Sequence, residues 1–343
     1  YDYSRSANPT RDALAEALNV LEKGAGAMIT SSGMAAVNLV CQLLRPDDLL
    51  LAPHDCYGGT YRLFDSLHQR GVLKTQFVDF SDAQAVSTAL KRKPKLVWVE
   101  TPSNPLLRIT DIHSVADQAH AVGALVAVDN TFMSPAWQQP ISLGADVVVH
   151  STTKYLNGHS DVVGGAVIAA TKELHEQLAW WANCTGVTGA PFDSYMTLRG
   201  IRSLHARMAV HGENAQRVAS LLQTHRAVKT VHFPGLKTHP QHSLATEQQR
   251  AFGAMVSFEL HGSTPQVIAF LDSLTMFSLA ESLGGVESLI AHPATMTHAA
   301  MSVEARAAAG ITDGLLRLSV GIEAWEDLSR DLQAALDRAA SVP

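Results

Sequence analysis

Along the first half of the chain, short runs that are apolar at nearly every residue alternate with stretches whose apolar residues recur at helical spacing. The runs are Ala27 to Thr30, Leu49 to Ala52, Phe77 to Val78, Leu96 to Glu100, Leu125 to Asp129, Val147 to His150 and Gly165 to Ala169. Successive strand side chains point to opposite faces, so a run apolar at both parities predicts a strand covered on both sides. The stretches Met34 to Leu44, Thr60 to Arg70 and Ile112 to Val122 instead predict helices with one buried stripe. Together they predict an α/β domain built on a mostly parallel sheet. Ligands of such sheets lie beyond the carboxyl ends of the strands, so candidate chemistry is sought there.

Asn8-Pro9-Thr10 followed by Leu14, Ala17, Leu18 and Leu21 predicts a capped amphipathic helix, with Pro9 in its first turn and Gly24 closing its end. A long helical stretch is expected from Asp193 to His225. Beyond it the pattern changes to apolar runs, Met255 to Leu260 and Leu315 to Val320, each followed by a helical segment. This predicts a smaller α+β carboxyl-terminal domain. The expected division is 8–212 for the large domain and 213–343 for the small one, with no internal repeat and no low-complexity segment.

Composition narrows the function classes. No apolar run approaches the roughly 20 residues that cross a bilayer, so no membrane association is expected. A net charge of -6, from 26 basic and 32 acidic residues, leaves no broad cationic surface, and nucleic acid is not an expected partner. Cys41, Cys56 and Cys184 lack C-x-x-C spacing and are too few for a disulfide framework, which suits a reducing compartment and predicts a cytoplasmic protein. The 16 histidines form no His-Glu-x-x-His pattern, and no metal is expected. The chain opens at Tyr1-Asp2-Tyr3, without a methionine or a signal-peptide pattern.

Three strand ends carry candidate chemistry. In Asp146-Val147-Val148-Val149-His150-Ser151-Thr152-Thr153-Lys154 a lysine follows an apolar run, flanked by hydroxyls able to hold a phosphate. A lysine amine so placed suits covalent attachment of a carbonyl cofactor. Asp129 ends the run Leu125 to Asp129, where a carboxylate can pair with a protonated pyridine nitrogen. Thr30-Ser31-Ser32-Gly33-Met34 joins a strand to a helix through small residues and offers backbone N–H groups to an anion. Taken singly, each has an ordinary explanation as a loop lysine, a turn aspartate or a helix start.

Taken together they resemble the Cys/Met-metabolism family of pyridoxal-phosphate enzymes, of fold type I, across essentially the whole chain. Further matching segments are Tyr3-Ser4-Arg5 with Asn8-Pro9-Thr10, Ala52 to Arg62, Pro102-Ser103-Asn104-Pro105, Trp180 to Asn183, Phe192 to Tyr195 and Ala280 to Leu289. The resemblance implies that Lys154 holds pyridoxal 5'-phosphate as a Schiff base. It implies phosphate contacts from Gly33, Met34, Ser151 and Thr153, a ring-stacking and proton-handling role for Tyr57, and Asp129 at the ring nitrogen. Residues 1–7 would form a segment in which Tyr3 and Arg5 reach the phosphate of a neighbouring subunit, making a homo-oligomer, a tetramer built as a dimer of dimers. Arg317, helped by Asn104 and Ser282, would bind the substrate α-carboxylate; Glu281 and Arg62 complete the implied substrate-binding set.

The activity so implied is γ-replacement, forming L-cystathionine from L-cysteine and an O-acyl-L-homoserine, with the O-succinyl ester the first expectation. Ser6 follows Arg5 where some members carry a second arginine, which leaves the acyl group open. The alternatives are γ-elimination from cystathionine, giving cysteine, 2-oxobutanoate and ammonia, or an inactive homologue.

Overall fold

The computed structural model describes residues 1–297, 299, 306–307 and 309–342. It divides into two compact units, Tyr1–Pro102 with Ile109–Leu204 and Ser103–Arg108 with His205–Pro343. The first is built on β1 (Gly26–Thr30), β2 (Leu49–Pro53), β3 (Lys74–Val78), β4 (Leu96–Glu100), β5 (Leu125–Asp129), β6 (Val147–Ser151) and β7 (Gly165–Ala169). The sheet order is β1-β7-β6-β5-β4-β2-β3. The neighbours from β6 through β3 are parallel, and β7 runs antiparallel to both β1 and β6.

The two parities of each apolar run serve different cores. Leu50, Leu96, Trp98 and Ala127 pack on one face with Val37 and Val40 of α2 (Gly33–Cys41), Phe64 of α3 (Gly58–Gln69) and Leu178 of α7 (Lys172–Thr185). Leu51, Val97, Val99 and Val126 pack on the other with Val86 of α4 (Ala83–Leu90) and Val115 of α5 (Ile112–Ala121). Each fully buried Val, Leu or Phe contributes about 1.5–3 kcal/mol of transfer free energy, which fixes the register of the strands and hence the positions of their carboxyl ends. The remaining helices of this unit are α1 (Pro9–Glu22), the short α6 (Ser134–Trp137) and α8 (Pro191–Ile201).

Two local expectations change. The Asn8 side chain caps α1 by accepting the N–H groups of Thr10 and Arg11, but its left-handed closing residue is Lys23, at φ 60°, not Gly24. Gly24 is required for a different reason: a Cβ there would lie 2.4 Å from the Ile168 side chain, so glycine lets the chain pass against β7. The stretch expected to be one long helix is two, α8 and α9 (Leu204–Thr224), separated at Arg202 and Ser203. Position 212 lies inside α9.

The second unit is a five-stranded sheet of order β10-β11-β12-β9-β8, with β8 (Val228–His232), β9 (Met255–Leu260), β10 (Ser278–Leu279), β11 (Leu289–Ala291) and β12 (Leu315–Ser319). β12 lies between β9 and β11 and is antiparallel to both. Two shorter helices are α10 (His242–Gln248) and α11 (Thr264–Ser273). The last helix, α12 (Trp325–Ala340), buries Leu328, Leu332 and Leu336 and packs on α11. Among the described residues no helix is long and apolar enough to cross a membrane.

Candidate active site

In the first unit four segments meet at strand ends. β5 delivers Asp129, whose Oδ1 accepts the N–H of Thr131 at 3.0 Å. Burial pushes the Asp129 carboxyl above its ordinary range, while the hydroxyl and N–H of Thr131 and the nearby His150 pull it down. On the adjoining strand, Ser151 donates its N–H to the Thr131 hydroxyl at 2.9 Å. Thr131 therefore ties the end of β5 to the end of β6.

After β6 the chain turns tightly. The Lys154 carbonyl accepts the Gly158 N–H at 2.8 Å, and the Thr153 hydroxyl both accepts the Gly164 N–H at 3.0 Å and donates to the Gly164 carbonyl at 3.2 Å. These contacts set Lys154, half-buried, in the turn beside Ser151 and Thr153.

α2 starts at Gly33 under the Ser32 side chain, which accepts the Ala35 N–H at 3.1 Å. First-turn N–H groups such as those of Gly33 and Met34 have no acceptor within their own helix, and the helix dipole favours negative charge there. A Cβ on Gly33 would lie 2.8 Å from the Ser151 Cβ, so glycine lets this helix end meet the end of β6. Gly59 does the same for Tyr57 and Met34: a Cβ there would lie 2.6 Å from the Tyr57 ring and 3.0 Å from the Met34 sulfur. Tyr57, immediately before α3, is exposed, and Arg62 is exposed on the same helix.

Tyr3 and Arg5 keep different company within the chain. The Arg5 guanidinium lies 5.3 Å from the centre of the Tyr3 ring and donates to the carbonyl oxygen of Asn183 in α7 at 2.7 Å and to its side-chain oxygen.

In the second unit, Arg317 of β12 is buried at 3% exposure. Its Nη1 donates to Asn104 Oδ1 at 2.9 Å and its Nη2 to the Ser282 carbonyl at 3.0 Å. Asn104 and Ser282 thus hold a planar guanidinium, a group whose fork suits a carboxylate. Ser282 takes the left-handed φ of 82°, and Ser319 holds the loop that follows by accepting the Gly284 N–H at 2.8 Å. Glu281 is exposed on this loop. Among the described residues no group of three His, Cys, Asp or Glu side chains is placed to hold a metal.

The family model for Cys/Met metabolism PLP-dependent enzymes matches residues 1–337. The chain belongs to this family. It is 58% identical over 334 residues, 97% of this chain and 86% of the relative, to cystathionine gamma-synthase of Escherichia coli K12. It is 49% identical over 337 residues, 98% of this chain and 89% of the relative, to cystathionine gamma-lyase of Bacillus subtilis 168. A crystal structure of cystathionine gamma synthase from Xanthomonas oryzae pv. oryzae in complex with cystathionine is 62% identical. It superposes with a TM-score of 0.98 over 99% of this chain and 88% of that one.

The cofactor of the family is pyridoxal phosphate, and the residues of the first unit fit it. The glycine cradle between Gly33 and Ser151 would be filled by any Cβ. Beside it stand hydroxyls and helix-start N–H groups suited to a phosphate, a lysine amine, and the half-buried Asp129 carboxyl suited to a ring N–H. Two residues to which the sequence drew no attention also belong here. Thr131 bridges Asp129 and Ser151, and Glu100, at the end of β4, stands in register with Asp129. For Glu100 a signal existed: Leu96 to Glu100 and Leu125 to Asp129 are both four apolar or small residues followed by an acid, a pattern that aligns the acids when the strands pair.

Proposed function

We propose that this protein is a γ-replacement enzyme that forms L-cystathionine from an O-acyl-L-homoserine, the O-succinyl ester first, and L-cysteine. The observation that carries the choice is the 58% and 62% identity to two synthases, one of them holding cystathionine, against 49% to the lyase compared above. Pyridoxal phosphate supplies a carbonyl carbon for the substrate amine and a ring that accepts electron density from the substrate carbons.

Every other task falls to the chain. Lys154 would hold the cofactor, and its free amine would move protons at the substrate Cα and Cβ. Asp129 holds a proton on the ring nitrogen, and Tyr57 covers the ring face and handles a proton. Gly33, Met34, Ser151 and Thr153 bind the phosphate, joined by Tyr3 and Arg5 of a neighbouring subunit. Arg317 grips the substrate α-carboxylate with its bidentate fork, oriented by Asn104 and Ser282. Arg62 adds charge for the ester, and Glu281 receives the cysteine amino group. The Cγ–O bond breaks, the acyloxy group leaves as the free carboxylate, and the cysteine sulfur, its thiol proton lost, bonds to Cγ. The assembly is a homotetramer of shared sites, working in the cytoplasm in methionine biosynthesis.

The test is to offer the purified enzyme O-succinylhomoserine, O-acetylhomoserine and cystathionine, each with and without cysteine. Cystathionine formed from an ester and cysteine faster than 2-oxobutanoate from cystathionine is the expected result. The reverse ratio assigns the protein to γ-elimination.

A further inference from the structure

Glu100 is a buried carboxyl with no role in the reaction scheme above. Its Oε2 accepts the backbone N–H of Tyr57 at 2.8 Å, across 43 residues of chain. Tyr57 is the residue before the first turn of α3, and its own side chain makes no capping bond. A carboxyl at that N–H does for α3 what the third residue of a capping box does within a helix, except that here it comes from a strand of the central sheet. The other direction is set by register: Glu100 is paired with Asp129 across β4 and β5, so paired side chains leave the sheet on the same face. One residue thus touches the backbone that carries Tyr57 and stands beside the carboxyl assigned to the ring nitrogen.

We infer that Glu100 is a positioning residue of this active site, whose carboxyl fixes the Tyr57 backbone over the cofactor cradle from its place beside Asp129.

Two carboxyls set side by side by strand register disfavour ionising together, and the one with the poorer environment for charge holds its proton more tightly. Asp129 accepts from the N–H and hydroxyl of Thr131 and feels His150. Facing Glu100 are the Tyr57 N–H, the carboxyls of Asp129 and Asp55, and the Cys56 thiol, itself pushed up by burial and by Glu100. Burial and then Asp129 drive the Glu100 carboxyl well above its ordinary range, with Asp55 adding to them against the pull of the Tyr57 N–H. An ionised Glu100 would compete with Asp129 for the ring proton; a protonated one keeps the Tyr57 hydrogen bond without that competition.

The inference rests on the roles given above to Tyr57 and Asp129, but its readouts do not depend on which sulfur substrate is used. Failure of the γ-replacement assay is therefore distinguishable from failure here. The loaded enzyme is compared with Glu100→Gln, a neutral isostere whose amide oxygen still accepts, and with Glu100→Leu, which offers no acceptor. Three quantities are read: the cofactor dissociation constant, the pH midpoint of the visible absorption, and hydrogen exchange at the Tyr57 amide. Glu100→Gln is expected to stay within about threefold of wild type in dissociation constant and exchange, with the midpoint unmoved. Glu100→Leu, leaving the Tyr57 N–H without its partner, is expected to weaken cofactor binding by about tenfold or more and to speed exchange at Tyr57 by a similar factor. A midpoint displaced in Glu100→Gln overturns the tighter hold of Glu100 on its proton, and this variant reads out even if Glu100→Leu does not fold. Equal damage in the two variants, or unchanged cofactor binding in Glu100→Leu, overturns the positioning role.

Discussion

Lys154 sits half-buried in the turn after β6, and what distinguishes it from other lysines is the company of Ser151, Thr153 and the Gly33 cradle rather than any property of its own. Lys154→Ala is expected to abolish turnover and to remove the visible absorption of the bound cofactor, while far-ultraviolet circular dichroism stays that of the wild type. Normal turnover in that variant would place the covalent attachment elsewhere. Arg317 presents the complementary case, a charge whose value lies in being buried. Its two Nη groups are already aimed by Asn104 and Ser282, so the carboxylate proposed to bind there would meet a guanidinium that does not have to be ordered first.

At the scale of elements, the working parts are ends. β4, β5 and β6 finish at Glu100, Asp129 and Ser151, and parallel register lines up the first two. α2 begins where β6 finishes, and only Gly33 permits the approach, since its Cβ would meet Ser151 at 2.8 Å. Gly33→Ala therefore forces the helix start away from the hydroxyls with little loss of helix propensity, alanine being the better helix former by about 1 kcal/mol. Cofactor affinity measured by fluorescence titration is expected to fall by at least roughly tenfold, with the thermal midpoint changed far less. A fall in both together would mean that the glycine serves packing alone.

At the scale of the whole molecule, two expectations concern stability and assembly. His211 of α9 is fully buried and donates from Nδ1 to the Val320 carbonyl at 2.7 Å. Burial, and then Arg207, lower its pKa to about 4, against the pull of that carbonyl and of Glu287. The folded chain thus holds this imidazole neutral where the unfolded chain, near 6.5, protonates it. Its contribution is present above about pH 6.5 and is lost as the pH falls towards 4, up to on the order of 3 kcal/mol. His211→Asn keeps a donor for Val320 but does not titrate, so urea unfolding between pH 7 and 4.5 should show a shallower acid decline than wild type. Assembly is tested by mixing: Arg5→Ala and Lys154→Ala chains, each deficient alone, are expected to regain activity when co-assembled, because a hybrid site then carries both residues intact. Co-assembled chains with no recovered activity would show that Arg5 serves only its own chain, where it already meets Asn183.

What the sequence determined by itself is what depends on short-range pattern. Runs such as Leu96 to Glu100 and Leu125 to Asp129 coincide with β4 and β5 to the residue, because burial on both faces demands apolar side chains at both parities. Asn8 was legible as a cap because its side-chain oxygen accepts N–H groups just two and three residues ahead. The ordered motifs around Lys154, Asp129 and Gly33 were legible too, since a family resemblance is a property of the chain. Other features depended on which distant segments meet, and those the tertiary structure decided. Gly24 reads as a helix terminator until Ile168 is found against it; Gly200, just before the break at Arg202 and Ser203, lies where a Cβ would be 2.2 Å from the Asn157 carbonyl oxygen; the segment Ser103–Arg108 joins the second compact unit from the middle of the first. Glu100 shows the physical reason most directly. Its carboxyl is an ordinary strand-end acid in sequence, and its raised pKa and its hold on Tyr57 arise only when β4 pairs with β5 and sets it, buried, beside Asp129.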